Sequence, residues 1–351
     1  MKKDQLFVFF TIIKLIKVLH KDTIICTITA NFTNTVMQIQ TNCLLRNLVV
    51  DSRQQYALYL KTTQGTIEQY DGKNTDAYTN FRMASVTKQF VAFSVLSLID
   101  AKHMGIHTKL SQIFDDIPEY MKNITIRHLL THTSGIMDYE DRQKIGRKQI
   151  TDTEVFEYLK TLHRGYFRPG TKYRYSNGGY IILGKVIEKL SGKKLANFVH
   201  DTILSPAGMH ESVIYTQGVS VIKNRAYGHK LINKNKLIIY DQGPDTATQG
   251  DGGLYSSIHD LKKYLSFIQS SKTAKKMFVS KTLPNGKSIE YGYGLRIKKY
   301  KNYKIIYHCG ETCGTNTIIG FIPRLKIEFA FMTALDGIDT EIFFKNLVRC
   351  L

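Results

Sequence analysis

The sequence predicts an α+β fold: an antiparallel sheet built from both chain ends and flanked by helices, with an all-helical lobe inserted between them. Three observations predict it. Residues 55–70 read as two strands joined at Gln64-Gly65, a hairpin signal. The middle of the chain, about 106–284, carries mainly helical patterning broken by loops. After residue 285 the pattern changes to short alternating or apolar runs with turn residues between them, at Tyr291–Ile297, Tyr303–His308, Asn316–Ile322 and Ile327–Ala334.

The elements follow in order. Val86–Ile99 is apolar around most of its circumference, which implies a helix buried on nearly all sides. Thr125 is a good N-cap for a helix over Ile126–Thr131. The loop Arg168-Pro169-Gly170 and a short polar run lead into a helix over Gly179–Leu190 that stops at Gly192. Ser257 with Asp260 forms a capping-box signature before Leu261–Ile268. Glu341–Val348 suits a closing helix. The organisation expected is an N-terminal segment over 1–45 and one domain over 46–351. Within that domain the sheet part falls at about 46–105 and 285–351, and the lobe at 106–284.

The 351 residues suffice for one large domain or two lobes. With 43% hydrophobic and 22% charged residues, composition is that of an ordinary globular protein, which excludes disorder or a coiled coil as the main architecture. Five cysteines are too few, and odd in number, for a disulfide scaffold. Cys309 and Cys313, four apart, lack CxxC spacing and a second ligand pair, so they read as packed thiols. The formal net charge of +20 fits a solvated basic surface, nucleic acid or an anionic cell-envelope polymer as partner. The basic residues are spread along the chain, and no RNP, zinc-finger or helix-turn-helix pattern accompanies them. That argues against specific nucleic-acid binding.

Met1-Lys2-Lys3 followed by Leu6–Ile13 looks like a secretory signal. Lys14 and Lys17 interrupt the run, and Ile28-Thr29-Ala30 is a poor cleavage site. The expectation is a periplasmic or secreted protein, with a cytoplasmic protein and a structural N-terminal segment as the alternative. No stretch reaches the roughly 20 apolar residues of a membrane span.

Three short elements carry chemistry. In Ser85-Val86-Thr87-Lys88, a helical spacing of three places the Lys88 amine beside the Ser85 oxygen. A serine hydroxyl is a weak nucleophile until a base takes its proton. An ordinary lysine, with a pKa near about 10.4, serves as that base only where burial or nearby cations disfavour its charge. Tyr175-Ser176-Asn177 offers a phenol as a second proton carrier. His308-Cys309-Gly310 ends a strand, with glycine permitting close approach of substrate to the backbone. The N–H of Glu311 would pair with that of Ser85 as an oxyanion hole.

Taken together and in this order, these elements resemble the S-x-x-K, Y-x-N and K/H-x-G motifs of the serine β-lactamase and penicillin-binding protein superfamily, in its class C β-lactamase-related branch. That branch also holds D-aminopeptidases, D,D-carboxypeptidases and esterases. Residues 81–90, residues 124–135 (ITIRHLLTHTSG) and residues 252–257 (GGLYSS) extend the likeness over roughly residues 50–350. The resemblance implies a serine hydrolase that forms an acyl-enzyme on Ser85 and acts on an ester, a D-amino-acid peptide or a β-lactam. Ser85, Lys88 and Tyr175 would be catalytic. Asn177 would bind the substrate amide or orient Lys88, and His308, Gly310 and Glu311 would line the substrate cleft from an edge strand. It implies no cofactor. His128 and His132, one helical turn apart, would be structural, since Leu129 stands where a zinc protease helix needs Glu.

The chain departs from the true β-lactamases at the third motif. His308 replaces a lysine that supplies fixed positive charge, which weakens the expectation of a β-lactam or free-carboxylate substrate. Cys309 replaces a hydroxyl residue, and Glu311 brings a carboxylate to the rim. These changes motivate an alternative, a catalytically weak or inactive binding protein on the same scaffold.

Overall fold

The computed structural model describes residues 41–140, 149–233, 236–300 and 302–350. The signal-like run over residues 1–30 therefore lies outside the described residues. Residues 49–341 form one compact unit. Residues 41–48 and 342–350 belong to another, in which Asn346 Nδ2 donates to the carbonyls of Leu44 (3.0 Å) and Arg46 (2.8 Å).

In chain order, β1 (Tyr56–Thr62) and β2 (Gly65–Asp71) form the expected hairpin, and β3 (Phe81–Arg82) leads into a short turn, Ala84–Val86. Helix α1 (Thr87–Asp100) follows directly. Then come α2 (Ile126–Leu130), α3 (Asp152–Lys160), α4 (Asn177–Ser191), β4 (Val213–Ile214), β5 (His229–Ile232), β6 (Lys236–Ile239), β7 (Leu254–Ser256), α5 (Ile258–Ser270), β8 (Lys281–Thr282) and β9 (Ser288–Ile289). Strands β10 (Arg296–Tyr300), β11 (Tyr303–Thr312), β12 (Thr315–Ile322) and β13 (Ile327–Thr333) precede the last helix, α6 (Ile342–Cys350).

The main sheet is antiparallel with order β10-β11-β12-β13-β1-β2, so strands from the two ends of the chain meet where β1 pairs with β13, Tyr56 opposite Thr333. Every residue of β12 is buried, as a central strand covered on both faces must be. Helix α1 is buried from Thr87 to Leu96 and packs against α4, as its all-round apolar pattern required.

The inserted lobe differs from its expected all-helical form. It holds the β5–β6 hairpin and contributes β4 and β7 to a small sheet of order β3-β7-β4. Residues 229–239 carry two short apolar runs, Leu231-Ile232 and Leu237–Ile239, on either side of an Asn- and Lys-rich stretch, a hairpin pattern that the helical reading of the region passed over. The small sheet matters to the site. Met83 N–H donates to Leu254 O (2.8 Å), and Leu254 N–H donates to Thr87 Oγ1 (3.0 Å), which fastens the turn bearing Ser85 to the glycine-rich turn at 252–253.

Candidate active site

Ser85 sits in the tight Ala84–Val86 turn at the entrance to α1, and Ala84 before it adopts φ +45°, a left-handed conformation that costs a residue with a Cβ roughly 1–3 kcal/mol. Thr87 Oγ1 donates to Ala84 O (2.6 Å) and holds that turn shut. One turn on, Lys88 is fully buried. Its ammonium donates three hydrogen bonds, to Ser85 Oγ (2.9 Å), Asn177 Oδ1 (2.8 Å) and the Asp251 carbonyl (2.8 Å). That uses every donor the group has.

The Tyr175 ring lies 5.0 Å from the Lys88 nitrogen, centroid to Nζ, so the phenol, the amine and the hydroxyl meet at one place although they are far apart in sequence. Two features hold Tyr175 there. Ser176 caps α4, its Oγ accepting from Gly179 N–H (3.1 Å). His132, with φ +56°, accepts from Arg174 N–H through its carbonyl (2.9 Å) and from Ser176 N–H through Nδ1 (3.1 Å). Its ring stacks at 4.2 Å on Tyr175. Burial first, then the charges of Lys88, His308 and Arg296, hold the His132 imidazole well below its ordinary pKa, so it is neutral. His128 is a capping residue: its Nδ1 accepts from Thr125 N–H (3.2 Å). Among the described residues no group of three or more His, Cys, Asp and Glu could hold a metal.

Asn177 bridges Lys88 to Glu140: its Oδ1 accepts from the lysine, and its Nδ2 donates to Glu140 Oε1 (2.5 Å). Of the two tasks foreseen for it, the geometry displays the one that orients Lys88.

The third motif differs from expectation in where its side chains go. Neither His308 nor Gly310 lines the cleft. His308 is 1% exposed, with Nε2 3.0 Å from the Tyr291 hydroxyl and Nδ1 2.6 Å from Cys309 O. Burial, Arg296 and Lys88 hold its pKa well below the ordinary value. Alternation along β11 puts His308 and Gly310 on one face and Cys309 and Glu311 on the other, and only the second pair borders the cleft. Gly310 serves the nucleophile turn rather than the substrate: a Cβ there would overlap the Met83 carbonyl oxygen. Cys309 is a free thiol whose pKa burial pushes up to about 12.

β11 is second in the sheet, yet it outruns its neighbour. β10 ends opposite Tyr307, so residues 308–312 have no strand partner on that side among the described residues. The β11–β12 hairpin closes over Cys313 and Gly314 on the pair Thr312–Thr315. Two-residue hairpins close on a hydrogen-bonded pair, and such pairs recur every second residue. Thr312, Gly310 and His308 therefore turn their N–H groups to β12, and Glu311 turns its N–H to the open side.

The cleft has a volume of about 750 Å3, within the usual range for small-molecule sites. Ser85, Tyr175, Asn177 and Glu311 border it together. Sequence reasoning missed Arg296, Glu140 and Tyr139 at its wall. Arg296 is the cation among the described residues that line it, and its guanidinium lies 5.7 Å from the Tyr175 ring centroid. Asp251, also missed, receives Tyr139 OH on Oδ2 (2.9 Å) while its carbonyl holds Lys88. Its signal was present beside the recognised glycine-rich turn.

Comparison with known proteins agrees with this architecture. Penicillin-binding protein 4* of Bacillus subtilis strain 168 is 32% identical over 271 residues, 70% of this chain and 59% of that protein. D-aminopeptidase of Gluconobacter oxydans is 24% identical over 251 residues, 67% of this chain and 46% of that protein. The chain thus spans about half the length of the curated relatives it matches. Among solved structures, D-amino acid amidase from Ochrobactrum anthropi SV3, complexed with L-phenylalanine amide, superposes with a TM-score of 0.76 at 20% identity, covering 90% of this chain and 97% of that one. The octameric penicillin-binding protein homologue from Pyrococcus abyssi gives 0.73 at 24% identity, covering 90% and 76%. These two show the shared fold. The Beta-lactamase family model matches residues 49–342, a span that includes all three motifs, and the chain belongs to that family.

Proposed function

We propose that this protein is a serine hydrolase that forms an acyl-enzyme on Ser85. The observation that carries the reading is the 2.9 Å contact between Lys88 Nζ and Ser85 Oγ at the wall of an open cleft, with the Tyr175 ring beside both. In the first half-reaction Ser85 Oγ attacks the substrate carbonyl carbon and its proton passes to Lys88 in the neutral form. The N–H groups of Ser85 and Glu311 receive the developing oxyanion, an interaction worth about 3–4 kcal/mol per donor in enzymes of this kind. The bond to the leaving amine or alkoxide then breaks as Tyr175 and Lys88 return a proton to it. In the second half-reaction water, deprotonated by the same pair, attacks the acyl carbon and frees Ser85.

The substrate class we propose is a D-amino-acid amide or peptide, with β-lactams and esters as slower substrates. The names of the D-aminopeptidase relatives support this. His308 is buried and neutral, so the positive charge of the cleft wall comes from Arg296 rather than from the third motif. We further propose export from the cytoplasm, supported by a disulfide at Cys43, and association with anionic envelope polymer through the +20 charge. Mature protein still carrying Met1 and confined to the cytosol would argue against export, and salt-insensitive partitioning would argue against the polymer.

Intact-mass spectrometry tests the central claim. A penicillin or fluorophosphonate probe should add one label to the wild type and none to Ser85→Ala. Folded wild-type protein that takes neither probe, yet shows ligand-dependent melting shifts, would establish the binding-protein alternative instead. Initial rates with D-phenylalanine amide, nitrocefin and a p-nitrophenyl ester rank the substrates.

A further inference from the structure

A second cavity, about 260 Å3, opens between α2, the turn at Gly170 and the β8–β9 hairpin, and it shares no lining residue with the catalytic cleft. Its polar lining includes His107, Arg127, His128, Thr282 and Lys281, and among the described residues that line it none is Asp or Glu. The charges bearing on Lys281 and His128 are like charges: Arg127 acts on both, and His107 acts on His128. The close neighbour of the Lys281 ammonium is the Tyr293 ring, 4.2 Å away at its centroid. Because His128 Nδ1 accepts from Thr125 N–H, the neutral ring carries its proton on Nε2, the nitrogen on the Gly170 side. Gly170 has φ +83°, and a Cβ there would come within 3.0 Å of that nitrogen, so glycine leaves the donor uncovered.

A concave wall that gathers like charges without a counter-charge focuses positive potential into the cavity. We propose that this cavity binds a phosphoryl group, with Arg127 and Lys281 neutralising its charge and donating to its oxygens together with His128 Nε2–H. Arginine's planar fork and several converging donors suit a tetrahedral phosphoryl anion better than a planar carboxylate. The volume lies below that of pockets for drug-sized ligands and suits one such group. The group could belong to free phosphate or to a phosphodiester polymer, and the experiment separates the two.

Calorimetric titration of the full chain at low ionic strength uses inorganic phosphate in one arm and a glycerol-phosphate polymer in the other. Wild type should bind in a single-site isotherm, and Arg127→Gln/Lys281→Gln should bind about tenfold or more weakly. Acylation of Ser85 by a β-lactam probe, measured in parallel, reports that the double variant is folded. Binding of the polymer alone, with the same loss in the double variant, assigns the site to a phosphodiester chain. No binding in either arm, or equal binding by the double variant, overturns the proposal.

Discussion

Lys88 carries more of the site than any other side chain. Removing it takes the proposed proton acceptor from Ser85 and leaves Asn177 Oδ1 and the Asp251 carbonyl without this donor. We expect Lys88→Ala to slow acylation by about 10²–10⁴-fold, as stopped-flow labelling would measure, and to lower the melting temperature. A second expectation concerns His308. If it is as enclosed as its 1% exposure states, diethylpyrocarbonate will modify exposed histidines such as His103 and leave His308 unmodified and activity intact. Inactivation that maps to His308 would contradict the buried placement. At this scale the sequence made Ser85, Lys88, Tyr175 and Asn177 legible, because fixed spacings on a helix and at a cap bring their groups to known positions. The direction of His308 was legible in principle. Strand alternation forbids His308 and Glu311 from sharing a face. Glu140 and Arg296 were not legible, because a lone charged residue reaches a cleft only through tertiary packing.

Among the elements, β11 links the sheet to the turn that bears Ser85. Gly310 lets the strand approach the Met83 carbonyl, and Thr317 Oγ1 on β12 donates to the same oxygen at 3.1 Å. Gly310→Ala should therefore displace the turn that bears Ser85. We expect a loss of about 1–3 kcal/mol in denaturant unfolding and a larger fractional loss in acylation rate than the lost stability explains. Core strand β12 gives a contrasting case: Ile319→Ala should cost about 2–5 kcal/mol, whereas Thr66→Ala on the exposed edge strand β2 should stay within about 0.5 kcal/mol. Most helices and strands lay within a few residues of their expected positions, since hydrophobic period and caps are local signals. The expected strand from Tyr291 begins instead at Arg296. Gly294 takes φ +70° and Gly292 packs where a Cβ would overlap the Met277 carbonyl, so the backbone turns before it pairs.

For the whole molecule, buried titratable groups set how stability follows pH. His132 and His308 have folded pKa values well below their ordinary 6.5, so below pH 6.5 the unfolded chain binds more protons at these two positions. Their contribution is complete above 6.5 and is lost as pH falls. Asp152 acts in the opposite sense. Burial, with Asp251 nearby, raises its pKa from 3.8 to about 7, so between those values the folded state holds a proton that the unfolded state lacks. Its contribution is present at low pH and is lost as pH rises towards 7. Each proton is worth up to about 1.4 kcal/mol per pH unit. His128 is lowered by burial like the other two, and Glu140 is raised by burial like Asp152, so three histidines against two carboxyls predict falling stability from pH 6.5 to 5. Asp152→Asn, which removes one opposing proton, should fall more steeply. Urea midpoints measured at several pH values decide this, and parallel slopes for the two proteins would show that Asp152 is ionised in the folded state.

Ser85 stands on a turn seated against the sheet, while Tyr175, its proposed partner, arrives on a loop of the inserted lobe and is held by the His132 imidazole. A partly assembled molecule, with the sheet part or the lobe formed alone, would present Ser85 without the phenol beside it. Covalent capture by a suicide inhibitor would then act as a census of completed molecules. Along a denaturation curve it should vanish in step with tertiary packing, ahead of any helix that outlasts it.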